Sequence, residues 1–177
     1  MGESRIEEIP PEALSATQTA VITKLVADRG RVPTPFKVWL HSPVLAERLH
    51  DLGSYLAGGT SLRKREAKIA ILLIATHWRA DYVFKMHARE ALDAGLPSEV
   101  VDAIAGHREG LDQPRFTDPR EQAIYALVRA FTQSAAIDDC IFDEAVHRLG
   151  HAGVADLLAT CGYFTSVALA MKMYQPA

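Results

Sequence analysis

The chain has 177 residues, of which 49% are hydrophobic and 23% are charged. These proportions are typical of a globular protein and exclude a mostly disordered chain. The formal net charge is −3, with 19 basic residues spread along the chain against 22 acidic ones, which argues against a nucleic-acid binder. We expect an N-terminal arm over residues 1–10, ending at a Pro-Pro pair, followed by a single domain over residues 11–177.

Hydropathy and cysteine content indicate the cellular compartment in which the protein is expected. The longest apolar run, residues 69–75, is far shorter than the roughly 20 residues that cross a bilayer. The N-terminus lacks the apolar segment of a signal peptide. The two cysteines, Cys140 and Cys161, form no C-x-x-C, so neither a disulfide framework nor a four-cysteine zinc site is expected. These features predict a cytoplasmic protein with no membrane partner.

Hydrophobic periodicity, proline and glycine predict helices throughout. No segment alternates apolar and polar residues as a half-buried strand does, and no Asn-Gly or Asp-Gly hairpin signal occurs. Breaks are expected at residues 29–35, at Gly58-Gly59, over a polar loop at 107–117 and at Gly150. The fold class is therefore all-α, with about eight helices, which are predicted at residues 14–27, 43–57, 62–77, 80–94, 97–105, 118–134, 138–149 and 153–173.

The third predicted helix is apolar nearly all round, through its stretch IAILLIA. Such a helix is buried, so it is the natural centre of the core. A second apolar stripe lies along one face of the last predicted helix, at Leu157, Cys161, Phe164 and Ala168. Together they offer more apolar surface than one small bundle needs, which predicts a homo-oligomer.

His87 is the first candidate for chemistry. It lies among small and apolar neighbours on the fourth predicted helix, and a partly buried imidazole is suited to proton transfer. Glu90 follows it by three residues, so the two side chains share a helix face and can hydrogen-bond. The alternative is a core histidine bonded to a backbone carbonyl. Tyr82, on the same helix, either orients a substrate through its hydroxyl or packs at an interface.

Three further residues are candidates for substrate binding. Lys68 lies among the apolar residues of the third helix, where burial would favour acid–base work, unless its long stem carries the ammonium to solvent. Trp78 and Phe84 either wall an apolar pocket or pack in the core. No H-E-x-x-H, Cys/His cluster, phosphate-binding loop or nucleophile elbow occurs, so neither a metal nor a cofactor is expected.

The stretch KIAILLIATHWRADYVFKMHAREALDAGLPSEVVDAI resembles the core motif of the carboxymuconolactone decarboxylase family, which includes the alkylhydroperoxidase D-like proteins. The residues that carry the resemblance are Trp78, Ala80, Asp81, Tyr82, Phe84, His87, Ala91, Ala94 and Gly95. The upstream segment PFKVWLHSPVLAERLHDLGSYL and the helices after Asp118, with Asp156 and Gly162-Tyr163, are similar as well. The resemblance implies an alkylhydroperoxidase D-like helical bundle, assembled as a trimer or a hexamer.

The two branches of that family differ at their reactive residues. The redox branch carries C-x-x-C four residues before the His and a Glu about three turns earlier. Counted back from His87, these positions hold Val83, Ala80 and Lys68, so the resemblance implies that the peroxide cycle is lost. Glu66 lies two residues out of register, and Cys140 and Cys161 match neither position. The lyase branch lacks the cysteines and keeps the His.

The expected function follows from this comparison. The resemblance implies a cofactor-independent lyase or related enzyme that acts on a small acidic organic molecule. His87 would transfer the proton, Tyr82 would orient the substrate, and Lys68 would hold its acid group. Two alternatives stay open. One is alkylhydroperoxidase activity of the peroxiredoxin type, which the missing C-x-x-C disfavours, and the other is a non-catalytic oligomeric binding protein.

Overall fold

The structure, a computed structural model, describes residues 5–106, 114–134 and 136–174. Within these ranges the regular structure is helical and no strand occurs, which confirms the all-α prediction. The predicted loop at 107–117 lies mostly outside the described residues. A one-turn 3₁₀ helix covers Pro11–Ala13, and the α-helices are α1 (Ala16–Arg29), α2 (Thr34–Trp39), α3 (Pro43–Gly58), α4 (Lys64–His77), α5 (Asp81–Asp93), α6 (Ser98–Gly106), α7 (Pro119–Gln133) and α8 (Asp139–Tyr174).

Contacts between Cα atoms divide the chain into two compact units. The first comprises Met1–Gly58 with Ser166–Ala177, and the second comprises Gly59–Thr165. The second unit carries all five of the predicted site residues. The sequence-based division into a short arm and one domain stays a prediction.

In the first unit, α1 and α2 both pack against α3. Helix α1 begins at a capping box, because the Gln18 N–H donates to Ser15 Oγ while the Ser15 N–H donates to Gln18 Oε1. It ends at Arg29 and is capped by Gly30, whose φ of +70° lies in the left-handed region that glycine adopts without strain. The observed end is two residues beyond the predicted one.

Helix α2 was not predicted from the sequence. The break expected over residues 29–35 ends earlier, because Pro35 fits the first turn of a helix, where a missing N–H costs nothing. Six residues are too few to show a helical period. What holds α2 in place is the burial of Phe36 and Trp39, whose rings meet edge to face at 5.0 Å.

The N-terminal arm is tied to this unit by polar contacts. Lys37 Nζ donates to the Glu8 carboxylate at 2.7 Å and to the Tyr174 hydroxyl at 3.1 Å, and the Tyr174 hydroxyl also donates to Glu8. His41 Nε2 lies 2.9 Å from the Glu7 carbonyl oxygen. These contacts fix residues 7 and 8 of the arm against α2 and the end of α8.

In the second unit, α4 is the central helix, as the sequence predicts. Residues 69–76 are all buried, and α4 packs against α5, α6 and α7. The core around it is built from aliphatic side chains of every helix in this unit, including Leu72, Ile104, Ile124 and Leu157. No face of the apolar half of α4 is left in water, so the helix is held by neighbours on all sides.

Helix α8 contains the break that Gly150 predicts. Gly150 has φ 71° and ψ 168°, so two helices meet there at a kink inside the 36-residue element. By length and composition alone α8 is apolar enough to cross a membrane, but more than half of its most apolar stretch is buried within the protein. Part of its apolar surface therefore lies in the core, while Leu158 and Leu169 remain exposed. Asp156, on the same helix, accepts bonds from the N–H and the hydroxyl of Ser61, which fixes the chain that leads into α4.

The start of α4 is held by a buried ion-pair network. Glu66 is fully buried, and its carboxylate accepts bonds from Arg63 Nε at 2.6 Å and Arg120 Nε at 2.7 Å. Arg63 also contacts Asp118, the N-cap of α7, at 2.8 Å. Burial alone would raise the pKa of Glu66, but the bonds from Arg120 and Arg63 outweigh it and hold the pKa below its usual range. Glu66 therefore stays charged and joins α4 to α7.

Replacing this carboxylate should destabilise the fold. We expect Glu66→Gln to lower the free energy of unfolding by about 3 kcal/mol, near the low end for breaking a buried pair, because both arginines keep partial contact with water. Urea denaturation of the variant and the wild type measures the difference. The exposed Glu99→Gln, on α6, is the matched control and should change the stability by less than about 0.5 kcal/mol. Equal effects of the two substitutions would contradict the assigned role.

Candidate active site

The candidate site is built on the helix pair α4 and α5. Residues 78–80 join the two helices, and Arg79 takes a φ of +50°, unusual for a residue with a side chain. The tight link turns the chain back on itself, so α5 packs along α4. The early part of α4 therefore lies beside the later part of α5, which brings Lys68 next to His87 and Glu90.

These three side chains form one cluster, which we call the Lys68–His87–Glu90 triad. Lys68 Nζ lies 3.1 Å from His87 Nδ1 and also donates to Glu90 Oε2. His87 Nδ1 lies 3.2 Å from the same carboxylate oxygen. The ammonium is thus shared between an imidazole nitrogen and a carboxylate.

The triad runs from the interior to the surface. The side chain of His87 is 12% exposed, that of Lys68 is 19% exposed and that of Glu90 is 49% exposed. The ring of Phe164, from α8, meets the His87 ring edge to face with centroids 5.0 Å apart. The imidazole is therefore covered by an aromatic ring, while the carboxylate reaches water.

This environment keeps His87 neutral. Burial, together with the charge of Lys68, lowers the pKa of His87 from 6.5 to about 4, against an opposing effect of Glu90. For Glu90, burial would raise the pKa, but the bond and the charge of Lys68 lower it overall. At neutral pH the triad thus holds an uncharged imidazole beside a charged carboxylate.

The other predicted site residues occupy different surroundings. Tyr82 is 47% exposed at the start of α5, and within the described part of the chain no hydrogen bond or ring contact joins it to His87. Trp78 packs partly buried against the core and donates from Nε1 to Thr165 Oγ1 at 3.2 Å. Phe84 is also partly buried against the core. Of the five predicted residues, the structure brings Lys68 and His87 into direct contact.

Two residues outside those five also contact the predicted site: Glu90 contacts Lys68 and His87, and Phe164 contacts His87. Glu90 had a sequence signal, its spacing of three residues from His87 on one helix, but its contact with Lys68 depends on how α4 and α5 pack. Phe164 is 77 positions after His87 and carried no local signal towards it. Glu66 lies two residues before Lys68 on α4, but its carboxylate is bound by Arg63 and Arg120.

The cysteines do not form a redox pair. Both are free thiols; Cys140 is exposed and Cys161 is buried. Burial raises the pKa of the Cys161 thiol to about 12, so it stays protonated and unreactive at neutral pH. Across residues 5–106, 114–134 and 136–174, no group of three or more His, Cys, Asp or Glu side chains is arranged to hold a metal ion.

A cleft of about 400 Å³ lies elsewhere in the second unit. It is lined by the N-terminal end of α4 and the start of α7 rather than by the triad. Its lining charges are largely paired, since Arg65 binds Glu121 and Arg63 binds Asp118. We therefore place the candidate chemistry at the triad and not in this cleft.

Comparison with known proteins supports the fold. No family model matches the sequence, and no curated protein matches it. Among solved structures, it is similar to an uncharacterized peroxidase-related protein from Ralstonia eutropha JMP134, described as an alkylhydroperoxidase AhpD core. The TM-score is 0.70 and the identity 18%, over 100% of this chain and 94% of that chain.

A second solved structure gives the same result. An uncharacterized peroxidase-related protein from Silicibacter sp. TM1040 matches with a TM-score of 0.69 and 13% identity, over 100% of this chain and 91% of that chain. At such identities a likeness establishes fold and leaves the reaction open. The chain has an all-helical, AhpD-like fold.

Proposed function

We propose that this chain is a cofactor-independent enzyme, a lyase of the carboxymuconolactone decarboxylase type or a related enzyme, in which His87 transfers a proton on a small acidic organic molecule. The observation that carries the proposal is the contact of Lys68 Nζ with His87 Nδ1, at 3.1 Å, on a covered imidazole. General acid–base catalysis most often uses a histidine whose imidazole is held in position by a neighbouring group.

The chemistry suits a substrate that loses a carboxylate. The carboxylate leaves as CO₂, its bonding electron pair stays on the adjacent carbon, and that carbon then needs a proton. His87 delivers the proton, and nearby positive charge stabilises the developing anion. Lys68 supplies such charge, although its ammonium is shared with Glu90. The exposed hydroxyl of Tyr82 is available to orient the substrate.

The peroxidase alternative has less support from the residues present. A peroxidatic thiol must be a thiolate within reach of its oxidant. Cys161 is buried with a raised pKa, and Cys140 lies 21 positions away on the same helix, outside any C-x-x-C. The description 'peroxidase-related' applies to the two structurally similar proteins, and their likeness to this chain concerns the fold.

Catalysis should depend on His87. In a screen of lactone acids and β-keto acids for CO₂ release, we expect His87→Gln to lower kcat/KM by about 10² to 10⁴, the range for loss of a general acid or base. His151→Gln, a substitution of an exposed histidine on α8, is the matched control and should keep the wild-type rate. A His87→Gln variant that turns over substrate like the control would rule out the proposal.

Reaction with peroxide should be slow. After reduction, the protein is mixed with a slight excess of an organic hydroperoxide and its intact mass is followed over minutes. We expect no gain of oxygen and no loss of hydrogen, because Cys161 is buried and protonated and Cys140 has no partner cysteine in a C-x-x-C. Cys140→Ser and Cys161→Ser identify the residue if the mass changes. Rapid oxidation of wild type, abolished in one of these variants, would instead favour the peroxidase alternative.

A further inference from the structure

The triad sets which nitrogen of His87 carries the proton. A neutral imidazole has one N–H, and its other nitrogen is an acceptor. The ammonium of Lys68 has donors only, so its contact with His87 Nδ1 at 3.1 Å makes Nδ1 the acceptor. The proton of the neutral ring is therefore on Nε2.

The same triad contains a competing arrangement. The Glu90 carboxylate oxygen lies 3.2 Å from Nδ1, and a carboxylate would itself favour a proton on that nitrogen. The ammonium of Lys68, which contacts both groups, overrides this preference. On the α8 side the ring meets Phe164, an uncharged aromatic side chain, edge to face. The position of the proton thus depends on one lysine.

A proton given up from Nε2 must be replaced at once. A neutral imidazole that lost its only proton would become an imidazolate, a species far too basic to form in a neutral site. That outcome is avoided if Nδ1 takes a proton while Nε2 gives one. Lys68 is the proton-bearing group in contact with Nδ1 in the described part of the chain.

We propose that Lys68 is the proton source for His87, and that Glu90 is a positioning residue that holds the Lys68 ammonium on Nδ1. In the step, the substrate carbanion takes the Nε2 proton through its own electron pair, and Nδ1 takes a proton from Nζ. The ring ends neutral with its proton on Nδ1, and Lys68 ends as a neutral amine. The Nδ1 proton then returns to the amine while Nε2 takes one proton from solvent, which restores the ammonium and the first tautomer. This inference rests on the proposed function.

The arrangement accounts for the carboxylate on the surface side of the lysine. A lysine next to a covered ring would otherwise turn its ammonium to water, since its stem is long and flexible. Glu90, half exposed, supplies a counter-charge at the mouth of the site. It therefore acts on the reaction through Lys68 and not on the substrate.

The resting tautomer can be measured without any substrate. Nitrogen-15 NMR of histidine-labelled full-length protein at pH 7.5 identifies the protonated nitrogen of each ring, and the signals that His87→Gln removes assign the ring. We expect a proton on Nε2 in the wild type. In Lys68→Met, we expect it to move to Nδ1, where it can bond to Glu90. A wild-type proton on Nδ1, or an unchanged tautomer in Lys68→Met, would overturn the proposal.

Kinetics separate this role from a purely structural one. On a substrate found in the screen, Lys68→Met should lower kcat by about 100-fold with a smaller change in KM, because the proton source is lost and not the binding. Glu90→Gln should lower kcat less, and Glu90→Asp should restore part of the loss. Asp93→Asn, an exposed acid on the same helix, is the matched control and should behave as wild type.

The outcomes distinguish the two proposals. If the tautomer moves as expected but no variant of His87 affects turnover, the geometry is right and the proposed function is wrong. If His87 is essential but Lys68→Met keeps the wild-type kcat, the function stands and Lys68 is not the proton source. If Lys68→Met does not fold, Lys68→Leu replaces it in the tautomer test, and Lys68→Gln, whose amide is no proton source, replaces it in the kinetic test.

Discussion

A helix that is apolar on every side must be covered on every side, and the second unit is organised around that constraint. The apolar half of α4 is buried by α5, α6 and α7, which leaves its N-terminal half to carry the charges. Glu66 and Lys68 lie there, each too close to the core to be left unpaired. Glu66 is compensated by Arg63 and Arg120, and Lys68 by Glu90 and His87. The candidate site is thus one of two places where a charged side chain of α4, lying next to the core, is paired with neighbouring polar groups.

The Glu66 cluster and the triad differ in their capacity to exchange protons. The carboxylate of Glu66 is held by guanidinium groups, which do not give up protons, so this cluster only stabilises the fold. The triad contains a lysine and a histidine, both of which exchange protons. The carboxylate of the triad comes from Glu90, on the neighbouring helix α5. The positive charge of Lys68 beside His87 adds to the effect of burial and favours the neutral form of the ring, against the opposing effect of Glu90.

How far the sequence predicted the molecule depends on the range of each interaction. Periodicity placed α4 and its burial correctly, and Gly150 correctly predicted the break within α8. Helix α2 was missed because six residues show no period. For the site, the spacing of His87 and Glu90 was visible on one helix. The contact of Lys68 with both was not, since it depends on the rotation of two packed helices, and neither was the cover that Phe164 provides.

The most direct test of this account is the titration of His87 itself. The ring-proton shifts of His87 in the wild-type protein, followed by NMR from pH 8 to pH 3, report its protonation. We predict no change through pH 6.5 and a midpoint near pH 4, because burial and the Lys68 charge both oppose the charged form. A midpoint at or above 6.5 would mean that the ring is solvated or paired with a carboxylate alone. The triad would then not be a site that holds a neutral imidazole for proton transfer.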